Sequence, residues 1–318
     1  MALPNGLRRT PPAVFPPVLG LLGLGIGWRR AAEVFDLPHG LPEAFLGAVT
    51  LLAAAAIFAY GVKVALRPTA VLDDLRTLPG RAGLATMSMS VMLAAAALLP
   101  HARGLALGVL LTGLGLHLLV ALGSTRAIWQ TPPEGRGFTP AMHVTFVGFI
   151  VGPIAGIPLG LRPLCDVIFW YSLVAALVIW AGSLGQLLAA RAPAPLRPVQ
   201  AIHLAPAALL GMVAHGLGME TLALGFGAVA TALWLFLVAR ARWLLEAGFS
   251  PFWGSLTFPM AAHAGLMLIL AAHGVPGARV LGGVSLVLAT LVILPVAVRI
   301  LRLWLNGQLA TRTNAATA

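Results

Sequence analysis

Charge is what this chain most lacks. Only 9% of its 318 residues are charged, and one cysteine, Cys165, stands alone. Soluble domains carry about a quarter charged residues, so a water-soluble enzyme, a disordered chain and a nucleic-acid module are excluded. A single cysteine excludes a disulfide framework and any Cys-rich metal or iron–sulfur centre. What fills the sequence instead is apolar: 59% of the residues are hydrophobic and the mean hydropathy is +0.96. The lipid bilayer is the expected environment. Residues 1–12 are proline-rich, carry only Arg8 and Arg9, and run directly into an apolar stretch, so no cleavable secretion signal is expected.

A bilayer core of roughly 30 Å takes about 20 apolar residues in a helix. Uncharged runs of that kind occur at about 13–28, 42–62, 83–100, 104–125, 140–161, 167–190, 199–217, 219–239, 252–272 and 280–298. The linkers are too short for an extramembrane domain. The expected fold is therefore all-α: ten transmembrane helices in one polytopic domain over 1–318, with tails at 1–12 and 304–318. With a cytoplasmic N-terminus, fifteen of the 20 basic residues fall on the cytoplasmic side, among them Lys63, Arg67, Arg76, Arg81, Arg136, Arg191, Arg197, Arg240 and Arg242. Arg29, Arg30, Arg103, Arg162 and Arg279 fall outside. That bias places both termini in the cytoplasm, and most of the net charge of +11 reads as topology rather than as a polyanion site.

The spans pair as 1/2, 3/4, 5/6, 7/8 and 9/10. Odd members carry internal proline (Pro16 and Pro17, Pro153, Pro206, Pro259), the third carrying Met87-Ser88-Met89-Ser90 instead. Even members are long Leu/Ala/Val helices. Proline removes a backbone hydrogen bond, and the freed carbonyl must be sheltered from acyl chains. Odd helices are thus expected inside, around a conduit, and even helices outside; kinks serving only packing are the alternative.

All nine acidic residues lie in loops or at span ends. Ion-coupled carriers usually keep a buried carboxylate, and cation channels keep acidic rings. Their absence points to passive movement of a neutral or anionic solute. Of eight histidines, His117, His143, His203, His215 and His263 are in or near spans. Polar packing or pore lining is their expected role, although one histidine from each of two helices could also hold haem.

The ninth span is the most informative. Ser250-Pro251 starts a helix, and the face Pro251, Gly254, Ser255, Phe258, Ala261, Ala262, Gly265 is small except at Phe258 and the proline. Pro259 frees the carbonyl of Ser255. A lone ring on such a face either plugs a narrow channel or packs between helices.

The run Ser250-Pro251-Phe252-Trp253 with Leu256-Thr257-Phe258-Pro259-Met260 resembles the ninth-helix signature of the tellurite-resistance/dicarboxylate transporter family, which includes bacterial tellurite-resistance protein A and the plant slow-type anion channels. Phe15-Pro16-Pro17-Val18-Leu19-Gly20-Leu21 with Trp28-Arg29, Phe146-Val147-Gly148, and Ile202-His203-Leu204-Ala205-Pro206-Ala207 fit the same pattern. The resemblance implies five helical hairpins in quasi-fivefold arrangement, a pore in each protomer of a trimer, no cofactor, and a pore-blocking phenylalanine at Phe258. The expected function is a passive channel or uniporter for chloride, nitrate or organic anions in a bacterial-type inner membrane. Pro16, Ser88, Phe146, Pro153, His203, Pro206, Ser255, Thr257, Pro259, Ala262 and His263 are the expected lining and kink residues, with Ser90 and Thr145 as further small polar groups. An oxyanion or dicarboxylate exporter and a haem or copper membrane protein are the alternatives.

Overall fold

A computed structural model describes residues 9–132, 136–189 and 191–317. Arg8 and Glu134, which enter the charge pattern above, lie outside them, as does most of the 1–12 tail. The described residues are helical throughout, without a strand. The long helices are α1 (Phe15–Phe35), α2 (Gly40–Leu66), α3 (Leu78–Leu98), α4 (Arg103–Trp129), α5 (Arg162–Leu188), α6 (Leu204–Gly216), α7 (Glu220–Ala239), α8 (Gly254–Ala272) and α9 (Ala278–Leu305). Among the described residues, eight helices are long and apolar enough to cross a membrane by length and composition. α1 is not among the eight: Arg29, Arg30 and Glu33 stand in its last turns.

Two shells result. α1, α3, the 143–156 segment, α6 and α8 each touch the next, and α8 closes back onto α1. Outside this ring, α2, α4, α5, α7 and α9 each pack on the inner segment adjacent in sequence. Within its most apolar stretch, α3 is 78% buried, Ala194–Gly216 89% and Pro251–Ala272 72%, against 28% to 39% for the outer five. Apolar side chains left exposed on the outer helices, such as Leu51, Leu119, Val174 and Leu291, suit contact with acyl chains.

Proline does its work differently from the mid-span kinks expected. Pro16 and Pro17 stand in the first turn of α1, Pro153 opens the α-helical turn Pro153–Gly156, and Pro206 stands in the first turn of α6. A first-turn N–H has no intrahelical partner to lose. The turns leading into α1, α6 and α8 are 3-10 (Pro12–Val14, Ala194–His203, Pro251–Trp253). The third span does have a proline, Pro79, beside Thr77, whose hydroxyl accepts from Gly80 N at 3.1 Å. Of the inner prolines singled out, only Pro259 interrupts a helix.

The expected continuous span at 140–161 is absent. In its place come a π turn at His143–Val147, a 3-10 turn at Gly148–Val151 and the single α turn Pro153–Gly156. Pro153 has no N–H to donate to the carbonyl of Phe149, and Gly152 N takes that role at 2.9 Å. One missing donor therefore tightens the coil from four-residue to three-residue spacing.

Thr10 and Ala316 meet at one end of the bundle, through a buried carboxylate. Asp74 lies in a short helix, Ala70–Arg76. Its Oδ2 accepts from Lys63 Nζ at 2.7 Å and Tyr60 OH at 2.9 Å, and its Oδ1 from Ala316 N at 2.8 Å. Lys63 also donates to Thr10 O at 3.2 Å, and Arg67 to Thr317 O at 2.7 Å. Lys63 was counted among the cytoplasmic basic residues that set topology. Its side chain is fully buried and spent on Asp74.

Candidate functional site

All five inner segments contribute to one axial cavity of about 70 Å³. α1 supplies Pro16 and Leu19, α3 Thr86 and Met89, the irregular segment His143 and Val147, α6 Pro206 and Leu209, and α8 Ser255, Phe258 and Pro259. Its walls are almost wholly apolar. The Thr86 hydroxyl donates to Gly83 O at 2.9 Å, and that of Ser255 to Phe252 O at 2.6 Å, so these donors are occupied. His143 differs: it is buried, and among the described residues neither ring nitrogen has a hydrogen-bond partner. No carboxylate lines the cavity among the described residues.

Phe258 is 7% exposed and turns its ring toward α1. A Cβ built on Gly23 would stand 3.1 Å from Phe258 Cδ2, so the ring rests where α1 has no side chain.

Larger hollows flank this cavity. Near the chain ends, Arg76, Arg81 and Arg136 border one of about 120 Å³, together with Thr145 and Phe146. Arg81 donates to the carbonyls of Leu75 and Arg76, and Arg136 to those of Thr131 and Trp129. At the opposite end, a hollow of about 310 Å³ is bordered by Arg30, Glu33, Pro153, His215 and His273 among others.

Of the twelve residues singled out from sequence, Pro16, Pro206, Ser255, Phe258 and Pro259 meet at the axial cavity. Phe146 and Pro153 face the flanking hollows instead. Ser88 turns outward, its hydroxyl 2.8 Å from His117 Nδ1 of α4. Thr257 straps α8 to α1, donating to Gly254 O at 2.7 Å and Pro16 O at 3.1 Å. His263 stacks on Trp234 of the outer α7, with centroids 5.1 Å apart and planes 9° from parallel. The ring of His203 lies edge-on to that of His143 at 5.4 Å. Ala262 is buried without bordering the cavity. Ser90 donates to Thr86 O at 2.7 Å. In each hydroxyl case a carbonyl one turn back captured the proton, which is how a short polar side chain satisfies itself on a helix in apolar surroundings.

Thr86, Met89, Val147 and Leu209 were missed as lining residues, and His143, one of the five histidines weighed for pore lining, does reach the wall. Helical phase held part of the signal: Ala82, Thr86 and Met89 follow one face at steps of four and three, from which Ser88 is rotated away.

A closed ring of buried inner segments around an axial cavity, wrapped in long apolar helices, has the form of a multi-pass membrane protein of the channel or transporter class. A family model described as SLAC1, voltage-dependent anion channel, matches residues 9–301, and the chain belongs to this family. At the level the family supports, the protein is an anion channel or transporter. A search of curated proteins found no match.

Proposed function

We propose that the protein conducts small monovalent or organic anions passively, through a pore along the axis of the inner ring, with Phe258 as its gate. The observation that carries this reading is the cavity itself: every inner segment contributes to it, and Phe258 is the aromatic ring on its wall. Among the described residues no acidic side chain lines it, so it lacks the carboxylate that ion-coupled carriers keep, which favours passive conduction over a coupled exporter. Apolar walls make passage depend on dehydration, so large, weakly hydrated anions cross most readily.

In this reading the chain crosses the membrane ten times, as five hairpins around a quasi-fivefold axis. The 143–156 segment completes the ring, sheltered by α4 and α5 where its irregular backbone avoids lipid. The distribution of Arg and Lys puts both termini in the cytoplasm of a bacterial-type inner membrane, and a homotrimer with one pore per protomer is the expected assembly.

The test is anion current through wild type and Phe258→Ala in a planar bilayer or oocyte membrane, in chloride and then nitrate. A small wild-type current that grows at least tenfold in the mutant and reverses with the anion gradient is the expected outcome. An unchanged current in a folded mutant removes Phe258 from the gate. Silence from both, with protein present in the membrane, refutes the channel reading.

A further inference from the structure

Two adjacent arginines near the end of α1 have opposite surroundings. Arg29 is saturated: Nε donates to Glu43 Oε1 at 2.5 Å and Nη2 to Glu43 Oε2 at 2.6 Å. Its remaining donors reach Ala97 O at 3.1 Å and Ala96 O at 3.3 Å. Arg30 is part-buried, and its recorded partner is the thioether of Met212, 3.6 Å from Nη1. A sulfur is a weak acceptor, so among the described residues most of the guanidinium's five donors have no strong acceptor, and Glu33 is its charged neighbour. Arg30 borders the 310 Å³ hollow at the end opposite the chain termini.

The guanidinium also lies against α8, the helix that carries Phe258. Its Nη1 is 3.1 Å from the point that a Cβ on Gly265 would occupy. Gly265 shares the small face of α8 with Phe258, seven residues and about 10 Å further along the helix. An anion at Arg30 would therefore sit in line with the gate.

We infer that Arg30 forms an anion-binding station in this hollow, selective for singly charged planar oxyanions such as a short carboxylate. The planar guanidinium fork pairs two N–H donors with two coplanar oxygens, a match that a spherical halide cannot make. Selectivity for one charge follows from the neighbours. Glu33 shares the hollow and Glu220 stands 3.1 Å from His215 Nδ1, so two carboxylates repel a second negative charge on the ligand. The inference deepens the pore reading by assigning its outer vestibule a ligand.

Formate is the smallest probe of this chemistry. Purified protein is unfolded thermally in rising sodium formate, with sodium chloride and sodium sulfate at matched ionic strength. A ligand that binds only the folded state raises the midpoint. A saturable rise of about 2–4 °C in formate, beyond that in chloride or sulfate, is expected for wild type and its loss for Arg30→Gln. Arg30→Lys, which keeps the charge without the fork, responds to formate and chloride alike, and covers the case in which Arg30→Gln does not fold. Equal formate stabilisation in wild type and variants, or none in any, overturns the station; sulfate matching formate overturns its selectivity for one charge. Current recorded on the same preparations separates the two claims. Formate binding lost in Arg30→Gln, with no current from wild type or Phe258→Ala, leaves the station standing and refutes the pore. Current with formate binding independent of Arg30 does the reverse.

Discussion

The inner and outer shells draw on the same apolar residues and use them for opposite ends. On the outer helices, glycines such as Gly108 and Gly115 in α4 and Gly225 in α7 have nothing within 4 Å of where a Cβ would stand. In the inner shell the space is taken. A Cβ on Gly83 would lie 2.3 Å from the carbonyl oxygen of Pro12, and one on Gly148 2.6 Å from the ring of His117. Lipid and apolar side chains attract one another about equally, so helices in a bilayer gain by close backbone approach. Small residues hold the inner shell together; on the outer helices they are needed only on the inward face, as at Gly113, where a Cβ would stand 2.9 Å from Met92 N. A hydropathy profile sees both shells alike and misses this division.

The sharpest way to break the comparison is Gly83→Val. Its side chain meets fixed backbone in the Pro12 turn, so the variant should fail to accumulate as folded protein, read by size-exclusion chromatography after detergent extraction. Next in size is Asp74→Asn. Removing one partner of a buried ion pair costs about 3–5 kcal/mol, here compounded by Tyr60 and Ala316 losing a charged acceptor. The transition should move to lower temperature, and a Lys63→Met, Asp74→Leu double variant should recover much of the loss; a double variant as unstable as Asp74→Asn would show that the tails depend on the charge itself. The smallest effect belongs to Gly115→Leu on the outer shell, where stability should stay within about 1 kcal/mol. A large loss there would mean that α4 is covered by protein rather than lipid.

Much of this architecture was legible before any coordinates. Hydropathy located the long outer helices, because a run of Leu, Ala and Val in α4 or α7 has no other stable use at that length. Proline marked the inner segments, and Phe258 stood out against small neighbours. What proline would do was harder to foresee. The same residue kinks a helix from inside, as Pro259 does, or begins one, as Pro16 and Pro206 do, and only the pairing of neighbouring backbone groups distinguishes the two. Side-chain direction was the other gap. Ser88 and His263 sit on inner helices, yet both face outward to a partner, His117 and Trp234, that no spacing rule identifies. His143 was weighed with four other histidines, and what set it apart, the π turn that carries it onto the cavity wall, has no sequence signature of its own.

The contact between Phe258 and Gly23 has a consequence for tuning. The ring is held by a mechanical stop that belongs to a neighbouring helix, and that stop is bare backbone. If Phe258 gates the pore as proposed, a side chain added at Gly23 reaches the ring from α1, so passage can be tuned there while the ring itself stays unchanged.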